Sequence, residues 1–159
     1  MTTMKRDIAL GLGTAFVLMV VDQIIKIAVE ANLPFQQPVP LLPFFSLYYT
    51  FNTGIAFSFM NDLPPLALIV IACAVVLVML GLWWQARHEG LLSALGYGLI
   101  LGGAVGNIID RIAYGHVVDY ALLHTTGFSF AVFNLADAAL TFGVGFILLQ
   151  SILSLRQRR

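Results

Sequence analysis

Four long apolar stretches divide the chain, and the polar positions between and within them set the rest of its pattern. They predict membrane-spanning helices over about 8–29, 66–84, 91–109 and 138–155, each near the roughly 20 residues that cross a bilayer. Pro64-Pro65 precede the second span and suit a helix start, and Trp83-Trp84 at its far end fit the headgroup level. Gly102 and Gly106 lie four apart on one face of the glycine-rich third span, where a neighbouring backbone can approach closely. The link Gln85 to Gly90 is short, whereas the loops 30–65 and 110–137 are long. "FFSLYYTFNTGIAFSF" (44–59) is rich in aromatic and β-favouring residues with Asn-Thr-Gly as turn punctuation, and "GFSFAVFNL" (127–135) is similar. Both predict short strands at the membrane surface, forming a small sheet. No internal repeat or linker breaks the pattern, so residues 1–159 read as one integral membrane domain.

Composition agrees. Of 159 residues, 60% are hydrophobic and 10% charged, too little polar surface for a soluble domain of this length. Eight basic and eight acidic residues balance, which gives no electrostatic footprint for nucleic acid. Cys73 stands alone, so neither a disulfide framework nor a cysteine–zinc site is available. Met4-Lys5-Arg6 before an apolar stretch has the look of a secretory leader, but the run continues past Asp22 and Lys26 without a cleavage site, which predicts an uncleaved first span. Lys5, Arg6, Arg87, Arg156, Arg158 and Arg159 fall on one side of the membrane, against Lys26 and Arg111 on the other. This bias places both termini in the cytoplasm and the two long loops outside.

On that topology the unusual polar residues converge. Asp22 and Lys26 lie roughly 20 to 28 Å along the first helix at 1.5 Å per residue, near its outer end. Asn107, Asp110 and Arg111 close the third span on the same side, and Asn52, Asp119, Asn134 and Asp137 belong to the outer loops or the start of the fourth span. Individually these have plain explanations. Asp22 and Lys26 are spaced to neutralise each other, Asp110-Arg111 suit an interfacial anchor, and Asp137 suits the positive end of a helix dipole. None of these explains Asp119 between Val118 and Tyr120. His116, Asp119, His124 and Asp137 raise a metal site, although their spacing matches no compact zinc motif. No G-x-S-x-G is present, and nothing sets Ser58 or Ser129 beside a histidine. If Asp119 and Asp137 meet, repulsion makes them share a proton, so that one can activate water while the other donates to a carbonyl. A proton-coupled transporter and a structural four-helix partner are the competing classes. A transporter would carry its ionisable groups at the midplane.

"DQIIK" (22–26), "FNTGIAFSF" (51–59), "GGAVGNIIDRIAYGHVVDY" (102–120) and "FNLADAAL" (133–140), in this order, resemble the lipoprotein signal peptidases, also called signal peptidase II. The resemblance runs along essentially the whole chain. It implies a mainly α membrane fold of four transmembrane helices with a small β-sheet cradle in the outer, periplasmic loops. It also implies an aspartic endopeptidase of the bacterial inner membrane, acting near the outer face. Such enzymes cut diacylglyceryl-modified prolipoproteins just before the lipidated cysteine, use no metal or other cofactor, work among membrane lipids and are blocked by globomycin. A monomer is expected. By motif, Asp119 and Asp137 are the catalytic pair, and Asn52, Gly54, Asn107, Arg111, Asn134, Asp22 and Lys26 the supporting residues. Ile55, Ala131 and Ala138 depart from the residues common in the family, and none of them touches the expected dyad.

Overall fold

The computed structural model describes residues 3–54 and 63–157. Ile55, Ser58 and the rest of the 44–59 segment beyond Gly54 lie outside the described residues, as do Arg158 and Arg159. Four helices are long and apolar enough to cross a membrane: α1 (Thr3–Asn32), α2 (Pro65–Ala86), α3 (Leu91–Tyr114) and α4 (Leu135–Gln157). Pro64 is extended at the N-cap of α2 and Pro65 follows at its first helical position, where the missing N–H costs nothing.

Helix α3 is the axis of the bundle, packed against α1, α2 and α4. In its most apolar stretch 67% of residues are buried, against 11% in each other helix. Small residues make this possible. A Cβ on Gly96 would lie 2.8 Å from the Gly143 carbonyl of α4, and one on Gly143 would lie 2.7 Å from the Gly96 carbonyl. Gly102 faces α1, where a Cβ would meet the Ala15 carbonyl at 2.6 Å. The lipid-facing helices keep large side chains outward, such as Phe16, Leu77 and Phe142.

All four helices extend beyond their sequence-derived spans, and α1, α3 and α4 do so by taking in charged residues that are buried or half-buried. Helix α3 continues through Asp110 and Arg111, both buried, and stops at Gly115, whose φ of 77° is left-handed and suits a helix C-cap. Helix α1 takes in Asp7 at its start, and α4 begins at Leu135, with Asp137 in its first turn. The two tryptophans also part company. Trp84 is 66% exposed, but Trp83 is 6% exposed and stacks on Tyr97.

Strands β1 (Pro38–Leu42), β2 (Phe45–Asn52) and β3 (Val117–Leu123) form an antiparallel sheet in that order. Prolines at 38 and 40 are tolerated because β1 is an edge. Between Leu47 and Thr50, β2 carries one extra residue relative to β3. The bulge resets which side chains face inward, so Ser46, Tyr49 and Asn52 are the buried positions of β2. The 127–135 segment, expected as a strand, is held by isolated bridges at Ala121–Phe133 and His124–Ser129. A tight reversal, with the Thr125 N–H donating to the Phe128 carbonyl, leaves too little extended chain for a strand. The sheet packs on the end of α1 through Val29, Tyr49, Val118, Tyr120 and Ala121.

Gly143→Val should therefore force α3 and α4 apart and cost about 1–3 kcal/mol. Gly13→Val, where a Cβ meets nothing within 4 Å, should be tolerated. Thermal unfolding in detergent, followed by size-exclusion chromatography, checks the contrast.

Candidate active site

The site forms where the ends of α1 and α3, the start of α4 and strands β2 and β3 meet. Lys26, on α1, is its electrostatic centre. Its ammonium lies 2.8 Å from Asp22 Oδ2, 2.8 Å from Asp110 Oδ2 and 3.0 Å from Asn107 Oδ1. These partners use all three N–H donors of a lysine. Each carboxylate then uses its other valences on a different element. Asp22 Oδ1 accepts the Ala136 N–H of α4 at 3.1 Å. Asp110 Oδ1 accepts from Gln23 at 2.8 Å, and its Oδ2 also accepts the Val118 N–H of β3 at 3.2 Å. Gly106 leaves room for this, since a Cβ there would come within 2.7 Å of Asp22 Oδ2.

Three asparagines carry the order outward, each with its oxygen already bound to an N–H, so that its amide NH2 points to an aspartate. Asn107 Oδ1 accepts from Lys26, and its Nδ2 donates to Asp137 Oδ1 at 2.9 Å. Asn134 Oδ1 accepts the Asp137 N–H at 2.9 Å, and its Nδ2 donates to Asp119 Oδ1 at 2.7 Å. Asn52 Oδ1 accepts the Gly54 N–H at 3.0 Å, and its Nδ2 donates to Asp119 Oδ2 at 2.9 Å. Arg111 braces the turn after β2, donating to the Gly54 carbonyl at 2.6 Å and to the Asn107 carbonyl at 3.2 Å.

Asp119 and Asp137 are thus brought together around Asn134. Asn134 and Asp137 also form a reciprocal cap at the start of α4, the Asn134 N–H donating to Asp137 Oδ2 at 3.3 Å. This is a capping box, so the helix-terminal role of Asp137 is real and coexists with its place beside Asp119. The remaining free amide of the first turn, Leu135 N–H, donates to the Tyr120 hydroxyl at 3.1 Å. Burial, and then the charge on Asp137, push the Asp119 carboxyl up to about 7, while the hydrogen bonds from Asn52 and Asn134 pull against the shift. Burial also pushes the Tyr120 phenol up to about 12.

Asp119 is 2% exposed, whereas Asp137 is half-buried and lines a groove of about 370 Å³. The rest of the groove is largely apolar, with Phe130, Phe133, Leu140 and Phe142 among its walls. Such a site presents one carboxyl to incoming water and keeps the other away from it. The network brings together Asp22, Lys26, Asn52, Gly54, Asn107, Arg111, Asn134 and both aspartates. The histidines stand elsewhere. His124 Nε2 is 2.8 Å from Ser46 Oγ, and the His116 ring lies 3.8 Å from that of Phe51. Among the described residues no group of three His, Cys, Asp or Glu side chains is placed to hold a metal.

Sequence reasoning left Gln23 and Tyr120 without a part, and it placed Asp110 among the converging polar groups with an interfacial anchor as its plain explanation. A polar Gln23 beside Asp22 in an apolar helix was a usable signal. Tyr120 gave none, because its contact depends on how β3 meets α4.

Comparisons with known proteins agree with the fold and with the family resemblance. Residues 14–153 match the family model of signal peptidase (SPase) II. The chain is 48% identical over 142 residues to a lipoprotein signal peptidase of Allorhizobium ampelinum, covering 89% of this chain and 87% of the relative. It is 45% identical over 149 residues to one of Brucella ovis, covering 94% and 93%. A bacterial membrane enzyme solved in meso at 2.3 Å superposes with a TM-score of 0.84 at 23% identity, covering 95% of this chain and 92% of that one.

Lys26→Met should leave Asp22 and Asp110 buried without their cation and cost about 3–5 kcal/mol. Denaturant unfolding in detergent, compared with Lys5→Met outside the site, measures the loss.

Proposed function

The chain belongs to the signal peptidase II family, and on that premise we propose that it is an aspartic endopeptidase. It removes signal peptides from diacylglyceryl-modified prolipoproteins, cutting on the N-terminal side of the lipidated cysteine. The observation that carries the reading is the pairing of Asp119 and Asp137 around Asn134, with Asp119 raised to about 7. A carboxyl raised to about 7 can serve as an acid near neutral pH, beside a second carboxyl open to the groove that can serve as a base. The gathering of ionisable groups at one end of the bundle supports this over a transporter, which would carry them at the midplane.

In this mechanism Asp137, open to the groove, acts as the base. It takes a proton from water as the water oxygen attacks the scissile carbonyl, and Asp119 gives its proton to the carbonyl oxygen. The tetrahedral gem-diol then collapses. Asp137 returns its proton to the departing amine, Asp119 recovers one from the diol hydroxyl, and both residues regain their starting states. Asn107 and Asn134 hold the pair in register, and Lys26 and Arg111 limit the negative charge that accumulates there. The protein lies in the bacterial inner membrane with both termini cytoplasmic, acts as a monomer and requires no cofactor. With the site at the outer interface, the substrate's acyl chains stay among membrane lipids while its peptide reaches the carboxyls. Globomycin blocks the site.

Asp119→Asn and Asp137→Asn should each reduce cleavage of a diacylglyceryl-modified prolipoprotein by about 10²–10⁴-fold while globomycin still binds. Retained cleavage in either folded variant would refute the dyad. The rate should also fall as pH rises through about 7, where Asp119 gives up its proton, and a rate still climbing well above that pH would refute Asp119 as the acid.

A further inference from the structure

The groove beside Asp137, at about 370 Å³, is near the low end of the roughly 300–1,000 Å³ usual for ligand sites. It suits a side chain or two better than a pair of long acyl chains. Among the described residues its polar groups are few, namely Asn52, Asp137 and Thr141. The walls supply bulk at Phe130, Phe133 and Phe142, but two lining positions are alanine. Ala131 belongs to the segment joining β3 to α4, and Ala138 follows Asp137 in the first turn of α4. A larger residue at either position would occupy the space that adjoins the reacting carboxyl.

Building on the peptidase reading, we propose that Ala131 and Ala138 are specificity-determining residues. They admit an aliphatic side chain of the signal peptide close to the cut bond and set how large it can be. Charge supports an aliphatic occupant. An acidic side chain would be desolvated against Asp137, and a basic one would pair with Asp137 and occupy the base. Continuity with Asp137 favours the peptide itself over a distant part of the lipid, because whatever fills the space lies within a few bonds of the carbon under attack.

The test uses the full-length protein and diacylglyceryl-modified prolipoprotein peptides. These carry Gly, Ala, Leu or Phe, one at a time, at each of the first few residues before the cut. At one of those positions the kcat/KM ratio of Leu over Gly should fall by about tenfold or more in Ala131→Leu and Ala138→Leu, as one misfitted methylene in an apolar pocket is worth about 10- to 200-fold. The ratio of Phe over Gly should rise in Ala131→Gly, which adds no atoms and decides the matter even where a leucine variant does not fold. Ratios unchanged at every position, or an equal loss on all peptides, would overturn the proposal and leave the peptidase reading intact. A wild type that cuts none of the peptides would overturn both.

Discussion

Among the described residues, four aspartates and two cations meet in one polar network at one end of a membrane bundle. Asp22, Asp110 and Asp119 are buried and Asp137 is half-buried, against Lys26 and Arg111. In a medium of low dielectric, unpaired charge is costly, and the surplus of acid shapes everything around it. Lys26 neutralises what it can reach by binding Asp22 and Asp110 together. The remaining acid falls on Asp119 and Asp137, and there burial first, and then the charge on Asp137, raise the Asp119 carboxyl to about 7. The property that makes the pair useful for acid–base chemistry is the same one that makes it expensive to bury.

The fold follows from delivering these groups to one place. Small residues along α3 let α1 and α4 come close enough for Asp22 to reach the Ala136 amide. Gly115 turns the chain from α3 into β3, setting Asp119 two residues beyond the first residue of that strand. The bulge in β2 turns Asn52 toward Asp119. Because Lys26 and two backbone amides occupy the asparagine oxygens, the amide groups have only one useful orientation, with donors toward the carboxyls. A folded backbone and one buried cation therefore set the hydrogen-bond polarity of the whole site.

Much of this was legible in the chain. The apolar runs announced four helices, and the aromatic, β-favouring 44–59 segment announced strands that the structure shows up to Asn52. The polar residues of the four motifs do meet around Asp119 and Asp137. What stayed hidden depended on pairing in three dimensions. Asp110 and Arg111 looked like the end of a span because charges normally leave the membrane, yet with partners on α1 and at Gly54 they continue the helix. The sequence also suggested a strand over 127–135, but β propensity could not foresee the turn at Thr125–Phe128. Trp83 and Trp84 are neighbours in sequence but point to different environments, a distinction that only the helix's rotation about its axis reveals.

The central claim is that burial and a neighbouring carboxylate keep a proton on Asp119 near neutrality. Carbon-13 NMR of labelled aspartate carboxyls, from about pH 4 to about pH 9, tests it most directly. Asp119 should titrate near 7 in the wild type. In Asp137→Asn its midpoint should drop yet stay above the ordinary 3.8, since burial is the larger cause. An Asp119 that titrates at its ordinary value, or one that ignores the loss of Asp137, would contradict the account.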